Sequence, residues 1–171
     1  MKIAIYGYSG SGKSTLARRL GEYHQMDVLH FDSVQFLPGW KIRDEEDKKT
    51  ITKEFMDTHD AWVIDGNYSK LYSERRLEET DLIVLMLFNR LNCLYRVIKR
   101  YIKYKNKTRP DMGIGCIEKI DLEFVWWILH EGRTKRAKEK YRNICKKYSK
   151  KVVVIRNQKE LDKWMKEYFN D

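Results

Sequence analysis

The chain is 171 residues long, 42% hydrophobic and 35% charged, with a formal net charge of +10. That length suits one domain, 1–171, with a sizeable core, and no apolar run approaches the roughly 20 residues that cross a bilayer. Cys93, Cys116 and Cys145 are an odd, widely spaced set without CxxC or His spacing, which points to neither a disulfide framework nor a zinc site.

Lys2 to Tyr6 reads as a short apolar strand, followed at once by Gly7, Tyr8, Ser9, Gly10, Ser11, Gly12, Lys13, Ser14 and Thr15. Because Lys2 leads into a core strand and not a secretory apolar region, a cytoplasmic protein is expected. Leu16, Ala17, Leu20 and Tyr23 then recur at helical spacing. Strand, glycine-rich loop and helix in this order, with GxxxxGKS inside, form a phosphate-cradling loop. Gly7 and Gly12 free backbone N–H groups to face a triphosphate, Lys13 bridges its outer phosphates, and the Ser14 hydroxyl suits a place on magnesium. ATP and Mg2+ are therefore the expected ligands.

Val28 to Phe31 reads as the second strand, Asp44 to Thr58 as a charged helix, and Trp62 to Asp65 as the third strand. Leu82 to Phe88, apolar on both parities, reads as a central strand covered on both faces. Leu91, Leu94, Tyr95, Ile98 and Ile102 form the apolar stripe of the next helix, with Arg96 and Arg100 opposite. Periodicity is lost from Lys105 to Glu118, around Pro110, Gly113 and Gly115. Helical spacing resumes at Leu122, Val125, Trp126 and Leu129, and again at Ala137, Tyr141, Ile144 and Tyr148. Val152 to Ile155 is a fifth strand, and Leu161, Trp164, Met165 and Tyr168 mark a closing helix. Alternating strands and helices predict an α/β fold, a parallel sheet flanked by helices.

Phosphoryl transfer requires an acidic metal partner and cations around the moving group. Carboxyl ends of parallel strands border the ligand crevice, so Asp65 is expected to hold magnesium and Asp32 to receive or orient an acceptor hydroxyl. Strand-end aspartates also serve as helix caps. Arg90–Arg109 carries +8 and Arg133–Lys151 carries +9, leaving the rest at −7. Arg96, Arg100, Arg109, Arg133 and Arg136 therefore flank the irregular segment as candidate phosphate clamps, while solvated helix faces or a nucleic-acid backbone are the competing uses of such charge.

The motifs GYSGSGKSTLARRL, HFDSVQFLPGW, WVIDGNYS, LIVLMLFNRLNCLYRVIKR and TRPDMGIGCIEKID together resemble the small P-loop kinases related to adenylate kinase, and most closely the bacterial topology modulation (FlaR-like) proteins. The resemblance implies a three-layer P-loop kinase fold with a five-stranded parallel sheet, an acceptor-binding insertion at 33–60 and a lid at 104–132. It also implies magnesium-ATP as donor and base contacts from Arg156, Asn157 and Gln158. Adenylate-type kinases carry a phosphate-gripping arginine after the third strand, where this chain reads Asp65-Gly66-Asn67-Tyr68-Ser69. Arg43, Arg75 or Arg76 would have to replace it; otherwise the acceptor differs from AMP. Phe36 and Trp40 are candidates to stack on an acceptor ring. The expected activity is thus ATP-dependent transfer to a small nucleoside, nucleotide or metabolite. A strict nucleoside monophosphate kinase and an ATP-binding nucleic-acid regulator are the alternatives, with monomer and homodimer both open.

Overall fold

The computed structural model describes residues 1–170. In chain order the elements are β1 (Lys2–Gly7), α1 (Lys13–His24), β2 (Asp27–His30), α2 (Phe31–Gln35), β3 (Phe36–Leu37), β4 (Lys41–Ile42), α3 (Glu45–Thr58), β5 (Trp62–Asp65), α4 (Ser73–Glu79), β6 (Leu82–Met86), α5 (Arg90–Tyr104), α6 (Leu122–Leu129), α7 (Lys135–Lys147), β7 (Val152–Ile155) and α8 (Gln158–Asn170). Five strands form a parallel sheet in the order β2-β5-β1-β6-β7, and β3 with β4 makes a separate antiparallel pair. No described helix is long and apolar enough to cross a membrane.

The β1, β5 and β6 side chains are almost wholly buried, because each of these strands has a neighbour on both edges and helices on both faces. One core layer gathers Ile3, Ile5, Val63 and Val84 with Leu16 and Leu20 of α1, and the other gathers Ala4, Ile64 and Leu85 with Phe31, Met56 and Tyr141. In register, Ile5 and His30 both lie beside Asp65. The carboxyl ends of β1, β2 and β5 therefore converge at one edge of the sheet.

Four expectations change. β2 ends at His30, and Asp32 stands in the first turn of the short helix α2 instead of at a strand end. β6 stops at Met86, because Leu87 to Asn89 turn into α5. On α5 the structure rotates the expected facing: Cys93 and Val97 are buried and Leu94 packs against the core, whereas Leu91, Tyr95, Ile98 and Ile102 face outward. Arg96 and Arg100 reach the glycine loop and the segment after α5, beside Cys93 and Val97 in the core. Helix α4 and the β3–β4 pair were not apparent in the sequence at all.

Arg43, Arg75 and Arg76 do not line the cleft, and each is bonded within the fold. Arg43 Nε donates to the Val34 carbonyl at 2.9 Å, and Arg75 pairs with Asp57 at 2.7 Å and Glu79 at 2.5 Å. Arg76 has no exposed surface; its guanidinium lies 4.3 Å from the Phe31 ring centre and 5.0 Å from that of Tyr6, and it donates to the carbonyls of Gly66 and Tyr68. Its cation is a structural bolt beneath the β5–α4 turn. Arg76→Ala orphans those carbonyls and empties the ring sandwich, so a loss of about 3 kcal/mol is expected from urea unfolding. A loss below about 1 kcal/mol would contradict the bolt.

Candidate active site

The glycine loop of β1–α1 turns tightly because its residues leave no room for side chains. At Gly7, with φ 145°, a Cβ would lie 2.2 Å from the Met86 carbonyl oxygen; at Gly12, with φ 99°, it would meet the Arg96 guanidinium at 2.8 Å. Gly12 is the N-cap of α1 and offers no side chain to the first-turn N–H groups, leaving the positive end of a twelve-residue helix open to a ligand. Ser9, Gly10, Gly12, Lys13, Ser14 and Thr15 line a cleft of about 1830 Å³. Ser11 is buried in the loop, and its carbonyl accepts Arg96 NH1 at 2.7 Å. Tyr8 is held by Met86, its N–H donating to that carbonyl at 3.2 Å, and its ring packs edge-on against Tyr141.

Lys13 Nζ donates to the Tyr8 carbonyl at 3.1 Å, within the loop it belongs to. Desolvation pulls its ammonium below the ordinary pKa, against the opposing charges of Asp32 and Asp65. Ser14 Oγ donates to Asp65 Oδ2 at 2.8 Å, so the metal candidates from two distant segments do meet. Asp65 Oδ1 lies 2.5 Å from His30 Nδ1. Burial works to lower the His30 pKa, but the hydrogen bond and charge of Asp65 outweigh it and hold the imidazole above its usual value. His30 was missed in the sequence, because its partner Asp65 is supplied only by the pairing of β2 with β5.

Asp32 also reaches the cleft, and Tyr68 Oη donates to its Oδ1 at 2.9 Å. Burial first, and then Asp32, raise the Tyr68 pKa strongly, so the phenol stays protonated as a donor. Asn67 is a second residue whose role was not legible. Its Oδ1 accepts the Gly7 N–H at 3.1 Å and its Nδ2 donates to the Gly7 carbonyl at 2.6 Å, fastening the start of the loop to the end of β5. Phe36 and Trp40 line the cleft with ring centres 5.1 Å apart, and Trp40 Nε1 donates to the Ile117 carbonyl at 2.7 Å.

The arginines divide. Arg96, Arg100, Arg109 and Arg136 line the cleft, and Arg136 is exposed there. Arg96 also reaches Gln158. Arg133 is turned inward: Nε donates to the Ile128 carbonyl and NH1 to that of Phe88, both at 2.9 Å, NH2 meets Cys93 Sγ, and the guanidinium covers the Tyr8 ring at 3.9 Å. It braces the phosphate loop from behind. Arg156 and Asn157 are not among the residues lining the cleft. The Arg156 N–H and the Asn157 side chain both bond Glu160, and Asn157 Oδ1 accepts the Glu160 N–H, a reciprocal cap on α8.

No protein-family model matches the chain, and no curated protein is similar to it in sequence. Solved structures do match in fold. Deoxyadenosine kinase from M. mycoides, solved with the products dCMP and a flexible dCDP, superimposes with a TM-score of 0.54 at 13% identity, covering 100% of both chains. The Thermus thermophilus protein TT1252 gives a TM-score of 0.58 at 16% identity, covering 99% of this chain and 96% of its own. The fold is that of the P-loop kinases, a five-stranded parallel sheet flanked by helices.

Asn67→Ala removes both bonds to Gly7 and leaves a backbone donor and acceptor without partners. A loss of about 2 kcal/mol in urea unfolding is expected, with faster hydrogen exchange at the Gly7 amide. Unchanged exchange at Gly7 would contradict the fastening role.

Proposed function

We propose that this protein is an ATP-dependent phosphotransferase of the nucleoside or nucleotide kinase type, with the character of the topology modulation proteins its motifs resemble. The observation that carries the reading is the open N-terminus of α1 with Lys13, facing the same cleft as Asp32 and its Tyr68 donor. One side of the cleft offers backbone N–H groups and cations to a polyphosphate, and the other offers a carboxylate to a hydroxyl.

In this reading Gly10, Gly12, Lys13, Ser14 and Thr15 cradle the triphosphate, with Arg96, Arg100 and Arg136 on its flank. Asp32 orients the acceptor hydroxyl and takes its proton as the new P–O bond forms and the bond to the ADP oxygen breaks. Tyr68, bonded to one Asp32 oxygen, leaves the other for the acceptor. The oxygens of Ser14 and Asp65 are hard donors that suit magnesium, and the described residues contain no group of three or more His, Cys, Asp and Glu side chains placed to hold a metal alone. Ser14 and Asp65 would hold the ion, which would neutralise charge on the phosphates. His30 keeps Asp65 in place.

Residues 33–60 act as the acceptor-binding insertion and 104–132 as the lid. The two already touch, through Gly39 N–H on the Gly115 carbonyl at 3.1 Å, Cys116 Sγ on the Leu37 carbonyl and Trp40 on Ile117. With Arg43, Arg75 and Arg76 all outside the cleft lining, the favoured acceptor presents a hydroxyl and needs no monophosphate clamp. Arg133 is bonded to backbone carbonyls, and Arg96, Arg100 and Arg109 line the cleft, which weakens the nucleic-acid alternative; Arg90, Arg142 and the exposed lysines of α5 and α7 are what remains for a polyanion backbone.

Two variants test this with magnesium-ATP and a panel of nucleosides, monophosphates and other hydroxyl acceptors. Lys13→Ala should lower transfer at least 100-fold, about 3 kcal/mol of transition-state stabilisation, with unfolding behaviour unchanged. Asp32→Asn should keep ATP affinity within about threefold while transfer falls by about 100-fold or more. Wild-type turnover in Lys13→Ala would overturn the mechanism, and a large loss of ATP affinity in Asp32→Asn would reassign that residue to the donor side.

A further inference from the structure

Glu118 lies outside every role assigned so far, yet it is the most thoroughly buried carboxylate of the cleft region. Only 3% of its surface is exposed. Its Oε1 accepts Arg100 Nε at 2.8 Å, and its Oε2 lies 2.6 Å from Arg109 Nε. Arg109 is itself 7% exposed and pairs through NH1 with Asp111 at 2.9 Å. The backbone fixes the carboxylate as firmly as the charges do: the Glu118 N–H donates to the Lys107 carbonyl at 2.9 Å, and Glu118 bridges Lys105 at the end of α5.

A buried carboxylate survives only with compensating cations, and two crowded guanidinium groups survive only with a shared anion. Burial, and then the charge of Arg109, hold the Arg100 pKa below its ordinary value. Arg100 is gripped by the inner edge of its guanidinium, whereas Arg109 meets Glu118 as a close ion pair and makes its hydrogen bond through NH1, to Asp111. Among the described residues, neither terminal nitrogen of Arg100 has a hydrogen-bond acceptor, although Arg100 lines the cleft with Gly12 and Lys13. A cation so held has paid its ordering cost before any ligand arrives.

We propose that Glu118 is a positioning residue: it holds Arg100 by Nε, with Arg109 paired ionically to its other oxygen, so that the free terminal nitrogens of Arg100 meet the outermost phosphate of a bound nucleoside triphosphate. This rests on the phosphotransferase reading. Its consequence is selectivity between triphosphate and diphosphate, because only the triphosphate reaches Arg100. Glu118 acts through Arg100, so removing either should cost the same interaction.

The test is calorimetric binding of magnesium-ATP and magnesium-ADP to wild type, Glu118→Gln, Glu118→Asp, Arg100→Ala and the Glu118→Gln/Arg100→Ala double variant, with NMR of the arginine Nε–H groups. Glu118→Gln should weaken ATP about tenfold and ADP less than about threefold, with Glu118→Asp recovering most of the loss. In the Arg100→Ala background it should add less than about twofold. The Arg100 Nε–H, slowly exchanging in wild type, should exchange fast in Glu118→Gln. Equal losses for ATP and ADP, a full tenfold loss persisting without Arg100, or an unchanged Nε–H signal would each overturn the assignment. Wild-type protein that binds no ATP would instead overturn the phosphotransferase reading itself.

Discussion

The hydrogen bond from Ser14 to Asp65, 2.8 Å long, joins residues that are 51 positions apart, and the rest of the site is built around it. It exists because β1 and β5 are parallel neighbours in a register that sets Ile5 beside Asp65, so the glycine loop leaves β1 where the β5 carboxylate arrives. β2, pairing on the other side of β5, brings His30 to the same carboxylate. Asn67, two residues further along, clasps both polar groups of Gly7. A shift of one residue in the β1–β5 pairing would turn Asp65 to the other face and undo all of these contacts together.

Cationic side chains then divide between bracing and binding. Arg76 and Arg133 spend their donors on backbone carbonyls and lie over aromatic rings, one beneath the β5–α4 turn and one behind the glycine loop. Arg100 and Arg109 line the same cleft as the loop and share Glu118. On the proposed reading, Arg100 and the N-terminus of α1 meet one polyphosphate, while Asp32 and Tyr68 mark the acceptor's place. The net charge of +10 therefore says little by itself, because the arginines that define the site are fixed individually by acids, carbonyls and rings.

The sequence carried the sheet well. Trp62–Asp65 and Val152–Ile155 are bounded by sharp changes from apolar to polar residues, and both strands match to the residue. GxxxxGKS was legible because the backbone chemistry of phosphate binding leaves few alternatives at the glycine positions. Facing was not legible on α5, since periodicity reveals an apolar stripe without saying what covers it; here Cys93 and Val97 enter the core and Leu91, Tyr95, Ile98 and Ile102 are left outside. His30, Asn67 and Glu118 were invisible for a related reason. Each acts on a partner supplied by strand pairing or by the fold of the 105–118 segment, and no local pattern announces such a partner. Asp32 was found for a reason that proved incomplete, as it reaches the cleft from a helical turn that no run of five residues predicts.

The account stands on the glycine loop as a triphosphate cradle. Amide hydrogen exchange of the wild-type protein with and without magnesium-ATP tests this directly. Strong protection should appear at the amides of Gly10 to Thr15, accompanied by protection of the 105–118 segment that carries Arg109 and Glu118. Protection confined to the exposed lysine faces of α5 and α7, with the loop amides exchanging as in free protein, would contradict it.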